Sequence, residues 1–159
     1  MIRKQWNNKM ENIKLIVWDF DETLTKEHSK KNDDILGNLS DKNWPLLVRQ
    51  LVKNNYYVGI ASFNKSSIIK EYINKWIPDN NPFDDFNIQG NDGYIGSKTQ
   101  LISKIMEHFN IDRYDQVIFF DDNFKNILET RSYGINSFLV EKPGFSIHRD
   151  WNCIINILK

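Results

Sequence analysis

Two carboxylates one residue apart, Asp19 and Asp21, close the apolar run 15–18, and a hydroxyl residue, Thr23, follows two positions on. Buried strands read as apolar runs of this kind, with charge appearing only where they reach the surface. Side chains alternate along a strand, so residues i and i+2 share a face, and Asp19 and Asp21 would stand side by side. Two carboxylates about 4 Å apart repel by about 4 kcal/mol at an effective dielectric of 20, so a fold that holds such a pair calls for a cation between them. Three other places offer groups suited to the same chemistry. Ser62 ends a second apolar run, 56–61; Lys98 follows Ser97 where a helix is expected to begin; Asp121 and Asp122 close a third run, 116–120. Lys98 breaks a local rule, because a cation in a helix's first turn opposes the macrodipole. Such departures are expected at functional sites.

The elements that must position these groups follow from hydrophobic pattern. The first strand is expected over 14–20, after a loose or partly helical lead-in over 1–13. Residues 22–40 are polar and without a sustained period, with Lys26, His28, Lys30, Lys31, Asp33 and Asp34, and read as an exposed loop or flap. A helix from Asp41 carries Trp44, Leu46, Leu47, Val48, Leu51 and Val52, with Pro45 tolerated near its start. A second strand over 56–61 leads to a helix over 65–77 with Ile68, Ile69, Tyr72, Ile73, Trp76 and Ile77 at helical spacing. Residues 86–88 suit a short edge strand before the glycine-punctuated loop 90–96, and Ser97 is the expected N-cap of a helix bearing Leu101, Ile102, Ile105 and Phe109. A strand over 116–120, a helix over 123–133 stopped by Gly134, a strand over 137–140 and a last helix with Trp151, Ile154, Ile155 and Leu158 complete the chain. Strands alternating with helices specify the α/β class: a Rossmann-like three-layer fold, one parallel sheet with helices on both faces. Ligands bind such sheets beyond the carboxyl ends of the strands, which is where Asp19, Asp21, Ser62, Asp121 and Asp122 fall.

Bulk composition narrows the class. Apolar content of 40% with ten Phe, six Tyr and five Trp fits one globular domain over 1–159. Lysine plus arginine and aspartate plus glutamate balance at 21 each, which disfavours nucleic acid as a general partner. The lone Cys153 forms no internal disulfide, and no zinc-type Cys/His spacing occurs. No apolar run reaches the roughly 20 residues that cross a bilayer, and residues 1–12 lack a signal peptide's apolar stretch, so the expected setting is cytoplasmic, or nuclear, without membrane.

In order, Asp-x-Asp-x-Thr after a strand, Ser62 at a strand end, Lys98 at a helix start and Asp-Asp after a strand resemble the four motifs of the haloacid dehalogenase superfamily of aspartate-nucleophile phosphatases. Gly96-Ser97-Lys98, the run 117–123, Asn126-Ile127 and Gly134-Ile135 make the chain most similar to its small magnesium-dependent phosphatases. The resemblance implies Asp19 as nucleophile, forming an aspartyl phosphate, and Asp21 as general acid and then base. It implies Mg2+ held by the Asp19 carboxylate, the Asp21 main-chain carbonyl and Asp122, with Asp121 and Thr23 behind them. Ser62, with the backbone N–H groups of Phe63 and Asn64, and Lys98 would bind the phosphoryl group. These phosphatases typically carry an arginine just after the serine, where Phe63-Asn64 stands here, so a bidentate anion donor is missing.

The intervals 21–62 and 62–98 are too short for a separate cap domain, so an open site is expected, suited to a phosphoprotein or to a broad range of small phosphate esters. A nucleic-acid 3′-phosphatase or nucleotidase on the same fold, or a non-catalytic phosphate-binding scaffold protein, are the rival readings. Taken alone, each feature has a bland explanation: an exposed turn for Asp19 and Asp21, a solvated lysine for Lys98, and N-cap acids for Asp121 and Asp122. Their order and strand-end placement together carry the reading. His28, His108 and His148 lack such support and read as surface or satisfied histidines, and the aromatic residues, Trp76 and Trp151 included, read as core.

Overall fold

The computed structural model describes residues 11–30, 34–93 and 96–158. Lys31, Asp33 and the middle of the glycine loop, Tyr94 and Ile95, lie outside the described residues, as does the lead-in before residue 11. Five strands form one parallel sheet: β1 (Leu15–Trp18), β2 (Tyr57–Ala61), β3 (Ile88–Gln89), β4 (Val117–Asp121) and β5 (Asn136–Leu139), in the order β3-β2-β1-β4-β5. Helices α1 (Trp44–Lys53), α2 (Ser66–Trp76), α3 (Lys98–His108), α4 (Phe124–Ser132) and α5 (Asn152–Leu158) alternate with them. Central β1 is flanked by β2 and β4, with Trp18 opposite both Ile60 and Phe120. The chain order reverses at β1, and the crevice that opens at such a point is where ligands bind.

Alternation in the two central strands builds two cores. Leu15, Val17, Val117 and Phe119 face α3, packing on Leu101, Ile102, Ile105 and Met106. Ile16, Trp18, Ile118 and Phe120 face the other way, onto α1, α2 and the segment around Phe145 and Trp151. This second core is aromatic: Trp18 meets Trp44 and Phe145 edge-on, and Phe20 packs on Tyr72 and Trp76 at 5.4 and 5.6 Å between centroids. Each such pair adds about 0.5–1.5 kcal/mol beyond area burial. Trp76 and Trp151 are buried, as their spacing predicts. On α1 the predicted apolar side is too broad. Trp44, Leu47, Val48 and Leu51 are buried, while Leu46 and Val52, each rotated about 100° from a buried neighbour, are exposed.

Several boundaries shift. β1 stops at Trp18, short of the expected Phe20, and Gln116 belongs to a 3-10 turn before β4. Phe109 caps α3 instead of lying within it, and Trp151 ends a short π-helical turn, Ile147–Trp151, ahead of α5. The flap is not the exposed loop its polarity predicts. Leu24, Thr25, Ser29, Ile35 and Leu39 are buried, and an antiparallel bridge joins Thr25 to Leu39. Two side chains of α2 anchor it: Trp76 Nε1 donates to the Ile35 carbonyl at 2.8 Å, and the Tyr72 hydroxyl to the Lys30 carbonyl at 3.2 Å. Among the described residues no helix is long and apolar enough to cross a membrane.

Candidate active site

The site forms where β1, β2 and β4 end, because the strand register brings Asp19 out level with Ala61 and Asp121. A cleft of about 460 Å3 opens there, lined by Asp19, Asp21, Ser62, Lys98, Asp121 and Asp122 among others. Phe20, between the first two carboxylates, is fully buried in the aromatic core and fixes this loop from below. The Phe20 carbonyl accepts from the N–H groups of Thr23, Leu24 and Thr25, and Glu22 takes a left-handed φ of 59° to complete the turn. Asp19 is nearly buried. Its Oδ1 accepts from Lys98 Nζ at 2.5 Å and its Oδ2 from Thr23 Oγ1 at 3.1 Å.

Lys98 is held by the start of α3, where Ser97 caps the helix through a reciprocal pair with Gln100, as its position predicts. The ammonium is 1% exposed and also donates to the Ala61 carbonyl at 2.8 Å and pairs with Asp121 at 3.4 Å. Burial alone would push its pKa down, but the adjacent Asp19 and Asp121 carboxylates outweigh burial and hold it above the ordinary lysine value. The Phe63 ring lies 4.8 Å from the ammonium and is about half exposed at the cleft.

Asp121 and Asp122 do not cap α4; Asn123 does, through Lys125 N and Asn126 N. Asp121 is fully buried and has three partners: Oδ1 accepts from Asn123 N, and Oδ2 from the Asn126 side chain at 3.0 Å as well as facing Lys98. Asp122 is half-buried, and Thr23 Oγ1 spans its main-chain N–H at 3.1 Å and its Oδ1 at 3.3 Å. Burial, then the charges of Asp19 and Asp121, push the pKa of Asp122 up to about 7. Burial likewise raises that of Asp121, against the pull of Lys98.

One expectation fails. The crowded carboxylates are Asp19, Asp121 and Asp122, with oxygens within 4.8 Å of one another, and Asp21 is not among them. The strand ends before Asp19 and the chain turns at Phe20, so strand alternation no longer governs residue 21. The Asp21 carboxylate instead turns to the flap and to the loop after β2. Oδ1 accepts from Ser29 N at 2.7 Å and from Ser29 Oγ at 2.5 Å, and Oδ2 accepts from Asn64 Nδ2 at 2.9 Å. Nδ1 of the exposed His28 approaches Asp21 Oδ2 at 3.4 Å. Asn64's main-chain N–H goes to Ser62 Oγ at 3.1 Å, so it is engaged within the loop.

Three carboxylates against one ammonium form an all-oxygen donor set with excess negative charge, which suits a hard divalent cation. The raised pKa of Asp122 expresses the same excess as a held proton, which a cation would replace. Sequence reasoning read His28 as a surface or satisfied histidine, and it is exposed, though it reaches Asp21; Ser29, Asn91 and Asn126 were given no role. Asn126 had a signal, a polar residue on the first turn of the helix that follows Asp121. Ser29 and His28 had none, because their contact with Asp21 exists only once the flap folds back.

No protein-family model matches the chain, and no curated protein matches it. Solved structures do. The phosphatase domain of the N-terminal part of a Bacteroides fragilis protein, complexed with Mg, aligns at TM-score 0.62 and 19% identity over 92% of this chain and 41% of its own. The cobalt-bound deoxy-D-mannose-octulosonate 8-phosphate phosphatase of Haemophilus influenzae aligns at 0.61 and 18% identity, over 85% of this chain and 72% of its own. A haloacid dehalogenase-like family hydrolase of Streptococcus pneumoniae aligns at 0.56 and 16% identity, over 93% and 92%. What is shared at these identities is the fold, and it is the haloacid dehalogenase-like fold that the four motifs implied.

Proposed function

We propose that this protein is a phosphatase, a phosphomonoester hydrolase that carries the phosphoryl group on Asp19. The supporting observation is the Asp19 carboxylate itself, held at the end of the central strand between Lys98 and Thr23 and opening on the cleft. An Asp19 oxygen attacks phosphorus in line, the bond from phosphorus to the ester oxygen breaks, and Asp21 gives that oxygen its proton. Asp21 then takes a proton from a water that attacks the aspartyl phosphate, which releases inorganic phosphate and restores Asp19. Lys98 neutralises charge on the transferring group and keeps Asp19 oriented, and Ser62 presents its hydroxyl and loop to a phosphoryl oxygen.

Asp19, the Asp21 main-chain carbonyl and Asp122 would hold Mg2+. Asp122 suits direct contact better than Asp121, whose oxygens already serve Asn123, Asn126 and Lys98. The cation, when bound, neutralises an anionic nucleophile facing an anionic ester. The described part of the segment from Asp21 to Ser62 holds the flap, α1 and β2, and that of the segment from Ser62 to Lys98 holds α2 and β3. The reading is therefore of an open site that takes small phosphate esters or a phosphate carried on a protein. The exposed free Cys153 agrees with a reducing compartment, cytoplasmic or nuclear. The test is hydrolysis of a generic aryl phosphate with Mg2+, with Asp19→Asn alongside. Turnover is expected that chelator abolishes and the variant lacks. Full activity in Asp19→Asn refutes the mechanism, and no turnover of any ester leaves a phosphate-binding scaffold as the better reading.

A further inference from the structure

Asp21 is tied to two other loops by a closed triangle of hydrogen bonds. Asn64 Nδ2 donates both to Asp21 Oδ2 at 2.9 Å and to Ser29 Oγ at 2.7 Å, and Ser29 Oγ in turn donates to Asp21 Oδ1. Ser29 is 2% exposed, so its hydroxyl has these partners in place of water. The Asn64 amide can face only one way. Its Oδ1 accepts from Lys65 N at 2.7 Å, and the flipped amide would set an oxygen against the Asp21 carboxylate and an NH2 against that N–H. The Asn64 main chain is fixed as well. Its carbonyl accepts from Asn91 N at 2.8 Å, and Gly90 lies so close that a Cβ there would come within 2.7 Å of that carbonyl and 2.6 Å of Ser66 N.

A carboxylate offers about four lone-pair sites. Ser29 fills two on Oδ1 through its N–H and its hydroxyl, and Asn64 fills one on Oδ2. One site on Oδ2 is left, on the oxygen that Nδ1 of the exposed His28 approaches, and Asp21 is among the residues that line the cleft. We propose that Ser29 and Asn64 are positioning residues for the reaction: they lock the Asp21 carboxylate so that the proton it transfers sits on Oδ2. This rests on the phosphatase reading above and deepens it. When the ester bond breaks, the Oδ2–H bond breaks with it and the proton goes to the departing oxygen. In the second half, the same oxygen takes a proton from the attacking water. Asn64, two residues after Ser62, here acts on the acid/base and not on the phosphate.

The test compares kcat/KM for an alkyl phosphate, whose leaving oxygen needs a proton, with that for dinitrophenyl phosphate, whose leaving group departs as an anion. Both are measured with saturating Mg2+, because kcat/KM reports the first chemical half in which the leaving group departs. General acid catalysis contributes about 10²–10⁴-fold, so Asn64→Ala and Ser29→Ala are each expected to lower the alkyl value by about 10²-fold and the dinitrophenyl value by about threefold at most. In an Asp21→Asn background, adding Asn64→Ala should change the alkyl value by no more than about threefold, since its effect runs through Asp21. Equal losses on both esters, or a further large loss in the Asp21→Asn background, overturn the inference and leave the phosphatase reading intact. Absence of Asp19-dependent turnover in the unaltered chain overturns both, and is seen before any Asn64 variant is made.

Discussion

Asp122→Asn should make the metal-free protein more stable while removing a carboxylate proposed to hold the metal. Asp122 shares a half-buried corner with Asp19 and Asp121, and its pKa of about 7 stands well above the ordinary 3.8. A carboxyl whose pKa is raised by folding binds its proton more tightly in the native chain than in the unfolded one. Stability therefore falls as pH rises from about 4 through about 7, and stays at the lower level above that. Taken at face value, the shift corresponds to about 4 kcal/mol at about 1.4 kcal/mol per pKa unit. Asp122 is half open to solvent, which screens the interaction and brings the expected effect down to about 1–2 kcal/mol. An amide oxygen keeps the bond from Thr23 Oγ1, and the amide NH2 faces the other carboxylates as the protonated acid does.

A chain of this length shifts its melting temperature by about 2–4 °C per kcal/mol. In chelator at pH 8, Asp122→Asn should melt about 2–8 °C above the unaltered chain; at pH 5, where the folded chain already holds the Asp122 proton, the gap should be less than half as large. Added Mg2+ should raise the melting temperature of the unaltered chain at pH 8 and move the variant far less, because ligand binding stabilises only the state that binds it. A variant no more stable at pH 8, or one whose gain persists undiminished at pH 5, would show that carboxylate crowding does not govern this corner.

Two further perturbations probe the frame around the site. Lys98→Met strands Asp19 and Asp121 without their buried cation; denaturant titration at pH 8 should show a loss of about 3–5 kcal/mol. An unchanged midpoint would mean that the ion pairs contribute nothing. Trp76→Phe removes the donor to the buried Ile35 carbonyl and should cost about 1–3 kcal/mol. Hydrogen exchange should then quicken at backbone amides of the flap such as Lys26 N and Ser40 N, and stay slow in β1 and β4. Uniform quickening would instead mark a general loss of packing.

The parts of this protein that were legible in the sequence are those set by periodicity over a few residues. Ile16, Trp18, Ile118 and Phe120 had to lie on one face of the sheet because alternation leaves no other choice, and Ser97 as an N-cap announced the start of α3. The strand-end positions of Asp19, Ser62 and Asp121 followed from the same rule, since each stands where an apolar run stops. Alternation fails one residue later. It placed Asp21 beside Asp19 by extending a strand that the hydrogen bonds of the Phe20 carbonyl had already ended. The crowding inferred for the wrong pair is real, but Asp121 and Asp122 supply it, about a hundred residues away in the chain. Asp21 could leave that cluster because Ser29 and Asn64 offered it three donors elsewhere. The two donors of Ser29 reach Asp21 only with the flap folded back onto Trp76 and Tyr72 of α2, and no local pattern encodes that fold-back. The aromatic residues of α2, read as plain core, thus hold the flap that holds Asp21.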